Sequence, residues 1–544
     1  MGNILRIMTV TKSQWKWMAL GVVATVFVIT ANALLMAVSG WFIASMAVAG
    51  LTKVSFNYFI PSAAIRLFAI GRTVGRYLER LVTHNAALRI LSELRVWLFM
   101  KFAPLSPAVL EKYSSGELSS RFRADIDTLE NLYLRIIAPV VAGVIAIIAS
   151  TLFVAIWNGL AALALLAFLL LSGVIMPMLA RKIAAPHAKR GAVLAGDLRR
   201  VITDGVLGGD ELILLGAVDK STQSVSRISA ELVKEQMSLA VKGGIINSSL
   251  LLSAGLCTTT LLVICTSSVV SAGLKGPELV MLLLFCAASF EASGGISSAM
   301  MLFPSVSESL SRITEIADSS LPVKEPLEPH QLTGSCSLRM ENVTYSYGGE
   351  HYPLNNFSLD LPSGSRMALT GSSGVGKSTV AQLLLRFREY EGSITFGDVD
   401  LKALCGDDLR SGISALSQNP HIFNSTIREN ILVAKPDASD EEIAAVVHAA
   451  LLDEWVAGLP DGLETRTGEG GREVSGGEAR RIALARTLLK NAGLYILDEP
   501  TEGLDAVTEE RMLTRLDMRL KGKSLLLITH RPAPLKIVDR IIRL

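Results

Sequence analysis

Gly371-Ser372-Ser373-Gly374-Val375-Gly376-Lys377-Ser378 decides the reading of this chain. It follows the strand-like Ser365-Arg-Met-Ala-Leu-Thr370 and precedes Thr379 to Phe387, which is rich in helix formers. Strand, glycine-rich loop and helix in that order are what a phosphate-binding loop requires. Glycines let successive backbone N–H groups turn inward onto phosphate oxygens, and the helix N-terminus adds partial positive charge. Lys377 then bridges the β- and γ-phosphates, and the Ser378 hydroxyl ligates Mg²⁺. The expected ligand is ATP with Mg²⁺.

Downstream, Leu494-Tyr-Ile-Leu497 is an apolar, buried-strand pattern ending in Asp498-Glu499. Adjacent side chains at a strand end diverge, so the two carboxylates can divide the work. Asp498 suits the Mg²⁺ shell and Glu499 suits a general base that polarises the attacking water. Before them, Val474-Ser475-Gly476-Gly477-Glu478 opens the helix-like Ala479 to Leu489. This is a second N–H-rich anion site that the chain's own phosphate loop does not need. An orphan phosphate site implies a second nucleotide, supplied by a partner domain.

Outward from these motifs, the composition divides the chain. From Asp318 onward 57 of 227 residues are charged, against 45 of the first 317. Mean hydropathy is +0.43 and formal net charge +2, which leaves no nucleic-acid footprint. Residues 1–317 are therefore expected to form a membrane domain, 318–335 a linker containing the Pro-rich stretch Leu321 to Pro329, and 336–544 a soluble nucleotide-binding domain. Six apolar stretches, near 17–38, 55–75, 134–156, 160–180, 243–270 and 276–303, are long enough to cross a bilayer. The first follows Arg6, Lys12 and Lys16, yet exceeds a signal-peptide core and is expected to be retained. The long intervals 76–133 and 181–242 carry eight and ten Lys+Arg, whereas the short connections carry only Lys53 and Lys275. Both long intervals, the N-terminus and the nucleotide domain are thus expected on the cytoplasmic side. Tyr77 to Phe102 and Ala192 to Lys242 should continue the spans as helices beyond the membrane. The polar Tyr113 to Asp125 suits either a short transverse helix docking on another domain or a solvated turn. The five cysteines contain no CxxC pair, so neither a zinc site nor a disulfide framework is indicated.

Charges inside apolar spans are expensive and mark function or paired structure. A second helix starting near Phe56 would put Arg66 about 15 Å deep and Arg76 about 30 Å down. Glu291 is similarly internal to the sixth helix, so either a substrate path or an Arg66–Glu291 ion pair is expected. Arg72, Arg76, Arg80 and His84 recur every four residues and make one slowly winding stripe. An imidazole for iron and guanidinium groups for propionates beside an apolar wall is what haem asks for, with His84 the candidate iron ligand. The competing reading is a basic helix end obeying the positive-inside rule, with His84 an ordinary polar neighbour.

The phosphate loop, the Ser-Gly-Gly signature and the strand-borne Asp-Glu, in this order and spacing, resemble the nucleotide-binding domain of ABC transporters. The six preceding spans resemble an exporter-type (type IV) transmembrane domain. That resemblance implies an α-helical membrane domain followed by an α/β P-loop domain, with ATP hydrolysis coupled to transport across a bacterial inner membrane. Carried over position by position, Tyr347 resembles the aromatic that stacks on adenine, and Gln418 the glutamine that senses Mg²⁺ and water. Gly468-Glu469 resembles the exporter cross-loop, Leu504-Asp505 the D-loop, and His530 the switch histidine that contacts the γ-phosphate. Glu478 stands where the family usually has Gln, which puts a carboxylate near the partner's nucleotide and should slow that site. The family's pattern continues for a strand pair and helices beyond the strand-like Lys536 to Arg543, where this sequence stops. Ser39-Gly-Trp-Phe42, Ser55-Phe-Asn-Tyr58, Gly75-Arg-Tyr-Leu-Glu-Arg-Leu-Val-Thr-His84, Asp127-Thr-Leu-Glu-Asn-Leu-Tyr-Leu-Arg135 and Asp498-Glu-Pro-Thr-Glu-Gly-Leu-Asp505 narrow the resemblance to the CydDC family. Its members are heterodimeric half-transporters needed for cytochrome bd assembly, described as exporters of cysteine and glutathione and as haem transporters. The alternative within the class is a homodimeric lipid or drug exporter, and outside it a non-transporting ABC ATPase.

Overall fold

The computed structural model describes residues 2–544 except 114, 115, 117, 119, 120, 333, 335, 349–351, 373 and 469–471. The chain forms two compact units, Met1–Pro104 with Tyr113–Ser319 and Leu105–Lys112 with Ser320–Leu544.

The first unit is helical: α1 (Gly2–Val10), α2 (Trp15–Thr52), α3 (Phe59–Phe102), α4 (Arg121–Ala155), α5 (Gly159–Leu207), α6 (Val218–Val270) and α7 (Gly276–Ala317). At ~1.5 Å per residue, α3 and α6 far exceed the ~30 Å hydrocarbon layer, as the run of helix formers past each span requires. Among the described residues five spans, Lys12–Thr52 and α4 to α7, are long and apolar enough to cross a membrane. The helix at the second expected span, α3, is long but not apolar enough, because Arg66, Arg72 and Arg76 fall within its first five turns or so. α7 is the most buried of the candidate spans, and small residues let its neighbours approach. A Cβ on Gly143 of α4 would lie 2.8 Å from the Ile296 side chain and 2.9 Å from the Ala292 carbonyl. α6 buries Ser253, Cys257, Leu261 and Cys265, one face at four-residue spacing, and packs on α7 where the Cys286 and Cys257 sulfurs lie 3.4 Å apart.

Glu291 pairs with Arg76 at 3.4 Å and accepts from the Asn32 amide at 2.6 Å, and Asn32 in turn accepts from Arg72 at 3.0 Å. The expected Arg66–Glu291 pair is therefore replaced by Arg76–Glu291. Depth explains the exchange. From the helix starts at Phe59 and Gly276, Arg66 lies about 10 Å along, Glu291 about 22 Å and Arg76 about 25 Å.

The centre of the expected transverse helix, at 114, 115, 117, 119 and 120, lies outside the described residues, but its flanks are placed. Pro104 and Pro107 cannot continue the α3 ladder, and Leu105–Lys112 forms short 3₁₀ turns that belong to the second unit. Arg121 to Asp125 instead begin α4 and are held within the first unit. Arg121 donates to the Arg312 carbonyl at 2.6 Å, and Asp125 accepts from Ser309 at 2.9 Å and Arg312 Nε at 3.0 Å.

The second unit has two sheets. β1 (Leu338–Tyr345), β2 (Leu354–Leu361), β4 (Glu391–Phe396) and β5 (Val399–Asp400) pair antiparallel in the order β2-β1-β4-β5. β3 (Arg366–Thr370), β6 (Ile413–Leu416), β7 (Leu494–Asp498), β8 (Ser524–Ile528) and β9 (Arg540–Arg543) run parallel in the order β6-β7-β8-β3-β9. β7 and β8 are buried throughout, as continuous apolar runs in a parallel sheet require. Against this sheet lie α8 (Lys377–Leu384), α9 (Gly476–Leu489) and α10 (Ala506–Arg519). The stretch expected as a linker is docked in this unit: Arg386 pairs with Glu325 at 3.2 Å and donates to the Lys324 carbonyl at 2.6 Å, and His330 N–H donates to Ala403 at 2.9 Å.

Candidate nucleotide site

Register brings the chemistry to one line. Ile528 of β8 pairs with Asp498 of β7 on one side and with Leu369 of β3 on the other. The loops leaving these strands, which begin near Gly371, Glu499 and Thr529, therefore emerge side by side at the carboxyl edge, where open α/β sheets bind ligands. They line a cleft of about 650 Å³ with Tyr347, Pro353, Gly371, Ser372, Gly374, Gly376, Lys377, Ser378, Thr379, Gln418, Asp498, Glu499, Glu502 and His530.

The phosphate loop needs its glycines. Gly374 and Gly376 have φ of +82° and +111°, and a Cβ on Gly376 would lie 2.5 Å from the Pro353 carbonyl oxygen. Val375 does not line the cleft; its N–H turns to the Ser372 carbonyl at 3.4 Å. Ser373 lies outside the described residues. Lys377 Nζ donates to the Gly371 and Ser372 carbonyls at 2.9 and 2.8 Å, folded over its own loop. Ser378 Oγ donates to Asp498 Oδ2 at 2.7 Å. A hydroxyl, a carboxylate and the Gln418 amide are hard oxygen donors suited to Mg²⁺, which keeps waters and takes the remaining oxygens from phosphate. Burial holds the Asp498 carboxyl above the usual range, against the pull of its Ser378 hydrogen bond.

Glu499 stands at φ +50°, its N–H donating to the Ile528 carbonyl at 2.9 Å. Its carboxylate accepts from Thr529 Oγ1 at 3.2 Å and from His530 N–H at 3.1 Å, and lies 2.6 Å from His530 Nδ1. An ionised carboxylate only accepts, so Nδ1 carries the proton in this pairing. Tyr347 shares hydrogen bonds with Thr379 at 3.0 Å and Gln382 at 3.3 Å, under the guanidinium of Arg388 at 4.7 Å.

The signature residues Ser475, Gly476, Gly477 and Glu478 do not line this cleft. They form a capping box on α9 in which Glu478 Oε2 accepts from Ser475 N–H at 2.7 Å and Ser475 Oγ at 2.9 Å. Gly468 closes on Asn424, to which a Cβ would come within 2.8 Å, while Glu469 lies outside the described residues. Asp505 caps α10 through Val507 and Thr508 N–H, both at 3.0 Å. Sequence reasoning missed Glu502, which lines the cleft and is held by Arg480 at 2.6 Å; its spacing three residues after Glu499 was the available signal.

In the first unit, Arg72, Arg76 and Arg80 line a groove of about 360 Å³ with Thr73 and Tyr77. His84 is exposed on the same helix but is not part of that lining.

Two family patterns match, the ABC transporter transmembrane region over residues 18–292 and the ABC transporter domain over 354–502. The glutathione/L-cysteine transport system ATP-binding/permease protein CydC of Escherichia coli K12 is 36% identical over 97% of this chain and 92% of its own length. Its Haemophilus influenzae counterpart is 34% identical over 96% and 91%, and the Bacillus subtilis protein named CydD of the same system is 30% identical over 89% and 84%. A solved bacterial Atm1-family ABC exporter with ATP bound shares the fold, with a TM-score of 0.82 at 22% identity over 97% of this chain and 93% of that one. With a multi-pass membrane region joined to an ATP- and Mg²⁺-binding domain, this chain belongs to the CydC/CydD-type family of ABC transporters, whose ATP hydrolysis drives export.

Proposed function

We propose that the chain is one half of a heterodimeric exporter in the bacterial inner membrane, paired with a CydD-like half and moving low-molecular-weight thiols such as glutathione or cysteine. One observation carries the pairing: the signature Ser475–Glu478 lies outside the chain's own nucleotide cleft, so a second half must supply one for it and receive this one. The thiol reading comes from the names of relatives that match nearly the whole chain. The groove of Arg72, Arg76 and Arg80 supports it with guanidinium groups for substrate carboxylates, of which Arg76 must first leave Glu291 and Arg72 already donates to Asn32.

In this reading Tyr347 stacks on adenine, and the N–H groups of 371–379 and Lys377 hold the phosphates. Ser378, Asp498 and Gln418 hold Mg²⁺, which screens the phosphate charge. Glu499 takes the proton of the attacking water. Three donors occupy its carboxylate, so His530 must swing away toward the γ-phosphate before Glu499 can receive the water. The cytoplasmic orientation follows from the Lys/Arg bias of the long intervals.

The stripe formed by the groove arginines and His84 favours a second reading, in which haem is carried or sensed. The experiment purifies the chain with and without a CydD-like half. ATPase activity is expected only in the pair, together with uptake of radiolabelled glutathione into inverted vesicles; turnover by the chain alone would point to a homodimer. Adding haemin separates the readings: a Soret shift lost in His84→Ala supports haem, and an unchanged spectrum removes His84 as a ligand.

A further inference from the structure

Arg388 is a buried arginine. It follows α8, its side chain is 10% exposed, and every arm of its guanidinium is engaged. Nε donates to Gln382 Oε1 at 2.7 Å and one terminal nitrogen to the Tyr345 hydroxyl at 3.2 Å. The other terminal nitrogen forms an ion pair with Glu111, and the planar head covers the Tyr347 ring. Gln382 also accepts from the Tyr347 hydroxyl, so ring, amide and guanidinium form a closed cluster. Tyr347 lines the nucleotide cleft. Glu111 belongs to Leu105–Lys112, the turn that continues directly from α3 and is anchored by the buried Leu105.

We infer that Arg388 is a positioning residue that links occupancy of the adenine site to the setting of the Leu105–Lys112 turn. The inference rests on the reading of Tyr347 as the adenine-stacking aromatic. Arginine is suited to this because its fork can serve a carboxylate, a hydroxyl and an amide at once while its face lies on a ring; a lysine cannot. When a base stacks on Tyr347, the ring's place under the guanidinium is fixed, and Glu111 is held by the same group. The coupling is reciprocal: whatever tightens the turn must tighten ATP binding. Sequence offers no signal for it, since positions 111, 345, 347, 382 and 388 converge only in the fold.

The test uses the assembled pair of halves in lipid nanodiscs. Hydrogen exchange of peptides covering 105–112 is measured with and without a non-hydrolysable ATP analogue, alongside the analogue's Kd. In the wild type the analogue is expected to slow exchange in this turn several-fold. Glu111→Gln, at a half-exposed position that folding tolerates, should abolish that slowing and weaken the analogue by no more than the same several-fold factor, as reciprocity requires. Arg388→Glu should abolish it and weaken binding about three- to tenfold through loss of the stacked cation. The double exchange Arg388→Glu with Glu111→Arg should re-form the ion pair yet restore neither the slowing nor the Kd, because glutamate cannot cover the ring. Full nucleotide-dependent protection in Glu111→Gln, or recovery of the slowing in the double exchange, overturns the inference and leaves Arg388 a packing residue. Tyr347→Ala tests the foundation separately: unchanged Kd there would remove the adenine assignment, whatever the turn does.

Discussion

Glu499 shows how much one residue's backbone can decide. A glutamate at positive φ is strained, and here the strain turns its side chain from a buried strand end toward His530 and the cleft. Glu499→Gln keeps the shape and removes the base, so the assembled transporter should bind ATP normally and lose about a hundredfold or more of turnover at that site. Lys377→Ala should instead weaken nucleotide binding itself; both are read from single-turnover hydrolysis and equilibrium binding. Asp498 carries a different cost. Its carboxyl is raised by burial, so the nucleotide-free protein is penalised for ionising it at pH above the unfolded carboxyl's range, and the penalty vanishes below that range. Asp498→Asn is therefore expected to raise the melting temperature of the empty protein at neutral pH, by roughly 2–4 °C per kcal/mol relieved. Mg²⁺ affinity should fall as pH drops through the raised carboxyl's range, and the variant should lose that dependence. A melting temperature that is unchanged at pH 7.5 would contradict the burial argument.

At the scale of elements, α9 departs from expectation in an informative way. Glu478 was expected to press a charge toward the partner's nucleotide. Instead its carboxylate folds back on Ser475, taking up the N–H and hydroxyl that an arriving phosphate would use. Glu478→Gln weakens this self-capping, at a cost of about 1 kcal/mol or less in helix stability, and frees those donors. The composite site completed by this signature should then gain about two- to fivefold in nucleotide affinity or turnover, roughly what freeing one hydrogen bond is worth. Site-resolved trapping showing equal turnover at both sites, unaffected by the substitution, would refute it. The motifs around α9 were legible because strand, loop and helix each leave a local trace: Thr370 before the phosphate loop, Leu497 before Asp498, Ser475 before α9. The partners of α3 were not. Whether Arg66 or Arg76 meets Glu291 depends on where two helices begin, and a shift of a few residues in the start of α3 decides it.

Across the whole molecule, the split of charge near residue 318 announced two units, and the nucleotide cleft brings the phosphate loop together with Gln418, Asp498, Glu499 and His530, while the Ser475–Glu478 signature lies outside it. What composition could not convey was membership of the short turn after α3, because Leu105–Lys112 is set by proline stops and by a distant arginine rather than by its own pattern. The meeting of α6 and α7 has a consequence for how the transporter moves. The sulfurs of Cys257 and Cys286 sit 3.4 Å apart in the seam where α6 packs on α7, so they act as a caliper across a single joint. A disulfide needs them only to close to about 2.05 Å. Copper-phenanthroline should stitch them within one chain, seen as a loss of two free thiols that dithiothreitol restores. If the two helices travel as one rigid body, ATP turnover persists through the stitch, which is the outcome their packing leads us to expect. Arrest by oxidation and recovery on reduction would mean instead that the stroke of transport slides one helix along the other, with the seam as its bearing.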